Sequence, residues 1–411
     1  MRPGNNVLAN QAAIKRTVMH TRATAFQAHR ASEVSSCDPW LMFTVIALLS
    51  LSVVMVYSAT IAVDSRTLDI NFNPLIKHLL HIGLGSALLF MAASIRLNWL
   101  AAASKALLLI GLLLLVVVLF PGVGVEVNGS IRWIDLGGFR FQPSELMKII
   151  GIIYFADYLA RKREDLHLFK VGIINIGLVA GAIGVLLLLE PDFGTAVVIT
   201  TAVAGMMFLA GVRFWHFLLS FSVAATLMTW IMGMAPYRMA RLLSYQDPWA
   251  DPYGNGFQLI QALIAIGRGE WFGVGLGSSI QKLFYLPHAG NDFLIAIIGE
   301  ELGAAGIFSV LMLFALLLFR AFVISGRALR LGQRFSGFLA QGIGLLFALQ
   351  AGVHIGVNTG LLPTKGITLP MMSHGGSSML ISMVAVGLLF AVDRQSRPQP
   401  GGQRCKVPDQ K

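Results

Sequence analysis

LAAASKALLLIGLLLLVVVLF, residues 100–120, decides the fold. One charged residue, Lys105, interrupts 21 positions of aliphatic and small side chains. At about 1.5 Å per residue, a helix of this length crosses the ~30 Å hydrocarbon core of a bilayer. Nine further runs of similar length can be read, near 40–61, 77–95, 143–160, 170–189, 194–212, 214–232, 293–319, 336–357 and 377–393. The fold class expected is therefore all-α, a polytopic membrane protein of about ten transmembrane helices. Spans five to seven lie close together, so their boundaries are the softest.

The composition of the 411 residues agrees. Hydrophobic residues make up 56% and charged residues 12%, about half the charge of a soluble domain. Mean hydropathy is +0.72. These values exclude a water-soluble globule, a disordered chain and a secreted disulfide scaffold. The apolar runs are continuous and do not alternate, which argues against a membrane β-barrel. Cys37 and Cys405 lie near opposite ends, so they build neither a disulfide framework nor a metal cluster. The net charge of +11 reads as Lys and Arg flanking membrane spans, not as a nucleic-acid surface.

Charge sets the expected orientation. With the N-terminus inside, the basic tail 1–39, Arg96, the run Arg161-Lys162-Arg163 with Lys170, Arg213, the set Arg320, Arg327, Arg330 and Arg334, and the tail 394–411 all face the cytoplasm. The apolar run from Trp40 is too long for a signal-peptide core and reads as a retained first span. The domain organisation expected is a tail, a membrane domain over 40–393 and a second tail. Three connections fall outside: 121–142, which is Gly-rich; 233–292, about 60 residues and longer than packing requires; and 358–376, NTGLLPTKGITLPMMSHGG. Long loops on one side of a helical scaffold point to chemistry or recognition on that face.

Ionisable residues at membrane depth cost about 2.5–3.5 kcal/mol each on insertion scales, so the few present call for a reason. Glu145 and Lys148 are three apart at the start of span four, behind Pro143. They read either as a local pair at the interface or, with Arg140, as cationic ground for a phosphate-bearing ligand. Asp292 stands where a polar loop meets an apolar run. It reads either as a helix N-cap or as a carboxylate at a cavity mouth, able to act as a general base. Glu300 and Glu301 lie two turns deeper and point in different directions, so at least one should face a polar interior. Glu190 and Asp192 in EPDFGT are explained by a capped turn. His354 and His374 lack a second ligand at metal spacing, and Gly273-Val274-Gly275-Leu276-Gly277 follows no strand and is a weak nucleotide signal. These residues alone fit a transporter, a lipid-handling enzyme or a channel.

Four stretches in combination resemble the SEDS family (shape, elongation, division and sporulation), to which FtsW and RodA belong: NGSIRWIDLGGFRFQPSELMK, LEPDFGTA, the run from SYQDPWADPYGNGF to HAGNDFLIAIIGEELG, and NTGLLPTKGITLPMMSHGGSS. The resemblance spans about residues 40–393, and the PTKG and TLP pieces look like the FtsW, or division, branch. It implies a peptidoglycan glycosyltransferase that polymerises lipid II into glycan strands on the outer side of the cytoplasmic membrane at the division septum. The implied reaction inverts the sugar and releases the lipid diphosphate. The implied base is Asp292. Arg140, Glu145, Lys148, Lys282, Glu300, Glu301, Lys365 and Ser377 are the implied substrate-binding residues, and a bound divalent cation is compatible with them. The implied partners are lipid II, the growing strand, a class B penicillin-binding transpeptidase, other division-complex membrane proteins and membrane lipids, with no nucleic acid. Phe284 and His288 stand where several relatives carry acidic residues, and Gly290-Asn291 where His-Thr is common, so acidic neighbours are not required here to tune Asp292. A lipid II flippase, a RodA-like elongation polymerase and a pure scaffold remain as alternatives. Polar loops gathered on the outer side favour the enzyme.

Overall fold

The computed structural model describes residues 37–64, 74–127, 130–135, 137, 139–213, 245–254, 256–283, 286, 290–364 and 366–397, with scattered positions between 215 and 233. The helices are α1 Pro39–Asp64, α2 Pro74–Ser94, α3 Leu97–Val118, α4 Pro143–Arg161, α5 Asn175–Leu189, α6 Phe193–Leu209, α7 Phe257–Gly269, α8 Leu294–Arg330, α9 Arg334–Asn358 and α10 Gly376–Gln395. A π-helical turn, Lys170–Ile174, leads into α5. Seven of the described helical segments are long and apolar enough to cross a membrane. α4 and the shorter α6 complete the set expected from sequence, except span 214–232, which lies outside the described residues but for scattered positions.

The helices begin where the sequence supplies a start. Pro39 and Pro143 occupy first-turn positions, where a missing N–H costs nothing. Asp38 Oδ1 accepts the N–H groups of Trp40 and Leu41, both at 3.1 Å, and so caps α1. α4, α9 and α10 form the centre of the bundle, with Met147, Phe155, Leu339, Phe347, Met383 and Leu389 among its buried side chains. α2, α3 and α5 turn large apolar side chains outward, such as Phe90, Trp99 and Leu178, as helices facing lipid do.

The structure departs from the sequence reading in three places. The Gly-rich connection 121–142 holds a small antiparallel sheet of β1 Gly124–Val127, β2 Ser130–Asp135 and β3 Arg140–Phe141, in that order. The segment 233–292 contains α7, which packs along α8 instead of remaining an open loop. α8 continues to Arg330, beyond the expected end at 319. Its extension carries Arg320 and Arg327 to Asp38 and Asp393, and Asp393 Oδ2 accepts the Asp38 N–H at 3.2 Å. The first and last helices therefore meet at the same end of the bundle, as an even number of crossings requires.

Within α8 the helix breaks at Gly303, with φ 68° and ψ −166°, a conformation open in practice to glycine alone. The loop after α7 fills the break. Ala304 and Ala305 N–H donate to the carbonyls of Glu270 and Trp271 at 2.9 and 3.1 Å, while the Glu300 and Glu301 carbonyls accept from Val274 and Gly275 N–H at 2.9 and 3.1 Å. Four backbone groups at the break are thus re-paired by the loop, as membrane depth demands. The approach is close enough that a Cβ on Gly303 would sit 2.5 Å from Gly273 N.

Candidate active site at the loop end of the bundle

The connection 358–376 is the hub of the end opposite the termini. Ser52 on α1 donates to the Met372 carbonyl at 2.9 Å and contacts His78 Nε2 of α2 at 2.8 Å. His354 of α9 contacts the Ile367 carbonyl through Nδ1 at 2.7 Å. Ser377, at the start of α10, donates to the Arg140 carbonyl at 3.0 Å and accepts from Gln142 N–H at 3.1 Å, clamping β3 and the entry of α4 to this hub. His374 lies against His78 with ring centroids 5.6 Å apart and the rings tilted by 43°. Its buried Nδ1 has no hydrogen-bond partner. Burial, helped by the charges of His81 and Lys77, holds it below the usual histidine range.

Asp292 lies half-buried on this hub. A Cβ on Gly366 would stand 2.9 Å from its Oδ2, so the carboxylate rests directly against Gly366 of the PTKG stretch, and a side chain there would displace it. The backbone ahead of it is pinned to the same connection: His374 N–H donates to the Gly290 carbonyl at 3.0 Å, and Ser373 Oγ to the Asn291 carbonyl at 2.7 Å. The residue before α8 is Phe293, and the Ala296 N–H of the first turn goes to Asn358 Oδ1 at 3.1 Å. The N-cap reading of Asp292 therefore loses its motive.

Glu145 and Lys148 pair at 2.7 Å, with side chains 9% and 4% exposed. They do not snorkel. The pair is buried in the first two turns of α4, while Arg140, on the strand leading into it, is exposed. Asp192 caps α6 through Thr195 N–H at 3.4 Å, and also accepts from Ser144 Oγ at 2.8 Å. Arg132 on β2 donates to the Glu190 and Pro191 carbonyls at 3.1 and 2.5 Å. The Glu190 carboxylate is fully buried, and neither of its oxygens has a partner. Burial and the neighbouring Asp192 charge, against the pull of Arg132, push it up to about 8.

Glu300, Glu301 and Lys282 lie elsewhere, in the wedge at Gly303. Glu300 takes Arg268 at 2.7 Å, Ser279 Oγ at 2.5 Å and Ile280 N–H at 3.0 Å. Glu301 takes Lys282 at 2.8 Å and Ser58 Oγ at 2.6 Å. Both carboxylates are 0% exposed. They face a polar interior, as their cost in lipid requires, but that interior is closed by protein groups. Lys365 lies outside the described residues. Sequence reading missed Asn358, Ser144, Arg132, His78 and Arg268. A side chain committed to a distant tertiary partner leaves no periodic signal, and only its neighbours in the fold reveal it.

Among the described residues, no three His, Cys, Asp or Glu side chains come together as metal ligands. Glu145, Glu300 and Glu301 are committed to Lys148, Arg268 and Lys282. The donor set does not fit a divalent cation, and no step below passes through one.

Residues 39–398 match the model of the cell cycle proteins FtsW, RodA and SpoVE. The chain belongs to this family. It is a multi-pass membrane protein. It is 47% identical over 361 residues to the probable peptidoglycan glycosyltransferase FtsW of Nitrosococcus halophilus (strain Nc4), covering 88% of this chain and 93% of that one. It is likewise 47% identical over 359 residues to the probable peptidoglycan glycosyltransferase FtsW of Thioalkalivibrio sulfidiphilus (strain HL-EbGR7), covering 87% and 90%. The fold is similar to the solved structure "Structural coordination of polymerization and crosslinking by a peptidoglycan synthase complex", with TM-score 0.71, 31% identity and coverage of 88% and 99%. It is also similar to the rod shape determining protein RodA of Thermus thermophilus, with TM-score 0.64, 27% identity and coverage of 89% and 99%. The resemblance read from the four motifs is borne out at the level of the family.

Proposed function

We propose that this chain is a peptidoglycan glycosyltransferase that polymerises lipid II during septal division, with Asp292 as its general base. The observation that carries the reading is the setting of Asp292. A carboxylate held by its own backbone against the 358–376 connection sits at the loop end of the bundle, where a sugar on a lipid anchor is presented. Joining two sugars requires removal of the proton from the acceptor 4-hydroxyl as its oxygen attacks the donor's anomeric carbon. That carbon inverts as its bond to the diphosphate oxygen breaks, and the lipid diphosphate leaves. Asp292 takes the proton. The exposed Arg140 faces the diphosphate. Lys148, neutralised by Glu145, shapes the floor of the site. The closed wedge of Lys282, Glu300 and Glu301 fixes α8, and with it the residue that α8 follows; these three position and do not touch substrate. The PTKG connection, which includes Lys365, and Ser377 border the acceptor. The apolar flanks of α2 and α3 admit the polyprenyl chains.

The loop end is the outer face of the cytoplasmic membrane, and both termini are cytoplasmic. The likeness to a synthase complex supports a class B transpeptidase as the partner that crosslinks the strand. The test is purified protein incubated with lipid II in vesicles, with and without that partner. Glycan polymer is the expected product. Exchange of lipid II between leaflets without polymer would make the chain a flippase instead.

A further inference from the structure

Asn358 is the last residue of α9, and it is 0% exposed. Its side-chain amide is fully occupied in an unusual way. Oδ1 accepts the N–H of Ala296 at 3.1 Å. Nδ2 donates one hydrogen to the Asp292 carbonyl at 3.1 Å and the other to the His354 carbonyl, one turn back on its own helix, at 2.8 Å. The Ala296 N–H and the Asp292 carbonyl are four residues apart. In an uninterrupted helix they would bond to each other. The Ala296 N–H is shared between the amide oxygen and the Phe293 carbonyl at 3.0 Å, and the Asp292 carbonyl goes to the amide nitrogen, so the amide bridges the rung of the ladder that these two groups would have formed. The chain upstream of Leu294 is thereby freed from helical geometry without leaving a buried donor or acceptor unpaired.

Chemistry fixes how the amide is oriented. The Ala296 N–H can only donate, so it must meet the oxygen. Both carbonyls can only accept, so they must meet the nitrogen. No other side chain of this size offers an acceptor and two donors in one plane. A carboxylate has no donor, and a leucine has neither group. The backbone of Asp292 is therefore held from one side by Asn358, while the Gly290 and Asn291 carbonyls just before it are held by His374 and Ser373. The three anchors come from α9 and from the connection that follows it, and they fix three consecutive carbonyls.

We infer that Asn358 is the positioning residue for Asp292: by bridging one rung of α8 with its amide it ends the helix before Asp292 and fixes the direction in which that carboxylate points. The inference rests on the reading of Asp292 as the base. Displacing a reacting group by about 1 Å can cost about 10²-fold in rate. The effect belongs in kcat, because Asn358 is buried and touches no substrate.

The experiment uses the full chain, purified with its partner, and measures lipid II polymerisation across pH. Asn358→Leu keeps the branching and the number of side-chain heavy atoms, at somewhat larger volume, and removes all three bonds. Asn358→Asp keeps the shape and the acceptor for Ala296, removes the donors, and serves where the leucine variant does not fold. The expected result for either is a kcat about 10²-fold lower per folded molecule, KM within a few-fold, and a displaced acid limb of the pH–rate profile. An activity loss that follows only the folded fraction, with the acid limb where the native protein has it, would assign Asn358 a purely structural role and overturn the inference. Asp292→Asn run alongside separates the two claims. If that variant polymerises normally, the base reading has failed. If it is inactive while both Asn358 variants keep native kcat, the positioning claim alone has failed.

Discussion

Two buried carboxylate settings, Asp38 with Asp393 at one end of the bundle and Glu190 at the other, differ in how their oxygens are satisfied. At the end where α1 begins and α10 finishes, Asp38 and Asp393 are each 1% exposed, and all four of their carboxylate oxygens are taken. Asp38 receives Arg320, Trp40 N–H and Leu41 N–H, and Asp393 receives Arg327, Arg397 and the Asp38 N–H. Burial alone would raise Asp38, but the Arg320 hydrogen bond, the Leu41 N–H, the Arg320 charge and the Trp40 N–H together hold it below its usual 3.8. At the loop end, Glu190 is as deeply buried with both oxygens unpaired and stands near 8, and His374 keeps a bare ring nitrogen. A saturated cluster fastens helices. An unsaturated one costs stability, and such a cost is carried where a site needs unspent polar groups.

The contrast can be broken or sharpened by substitution. The largest effect is expected in a third region, the wedge in α8, where both buried carboxylates are paired. Gly303→Val forces a branched side chain into a glycine-only conformation against the Gly273 backbone, and folded protein should be lost from the membrane fraction. Recovery at native levels would refute the broken-helix geometry. Next comes Asp393→Ala, which strands Arg327 and Arg397. Because both arginines are partly exposed, the loss should fall at the low end of the about 3–5 kcal/mol seen for broken buried pairs. Denaturation in detergent should register it, while the polymerisation rate per folded molecule stays native. A rate defect there would show that the terminal end is not purely structural.

The smallest effect distinguishes the two settings by pH. The folded protein holds the Glu190 proton up to about pH 8, where the unfolded chain releases it near its usual 4.5. Folding thus takes up a proton across that window, and stability falls as pH rises through it. Asp38 acts in the reverse sense: its contribution is present above its usual 3.8 and is lost as pH falls below that value. Glu190→Gln should flatten the decline between about pH 5 and 8 and leave the acid side unchanged. Melting curves at stepped pH would reveal it, and an undiminished decline in the Gln variant would place the proton elsewhere.

Much of this architecture was legible beforehand, because hydrophobic length is written locally. The runs at 100–120 and 336–357 fall within two to three residues of α3 and α9. Arg161 and Arg320 set the expected orientation through charge alone. The sheet was missed: Asn128-Gly129 between two short runs is a hairpin signal, but the glycine count around it made 121–142 read as a loop. The Gly303 break was not legible. Its cause lies in Gly269 and Gly273, about 30 residues upstream, and only the assembled wedge shows why all three must lack a side chain. Asp292 drew notice by its boundary position, which left a cap or a base open, and the family resemblance singled out the base. Asn358 was not, since its partners are backbone groups in another helix. The adjacent carboxylates Glu300 and Glu301 drew notice as site candidates, yet their oxygens are spent on Arg268 and Lys282.

The central claim, that the loop end performs the chemistry through Asp292, is tested most directly by lipid II polymerisation with Asp292→Asn. Asparagine keeps the size and the capping ability of aspartate but cannot accept the proton as a base. The variant should insert, bind its transpeptidase partner and melt as the native protein does, and it should make no glycan polymer. Polymerisation at close to the native rate by that folded variant would contradict the account.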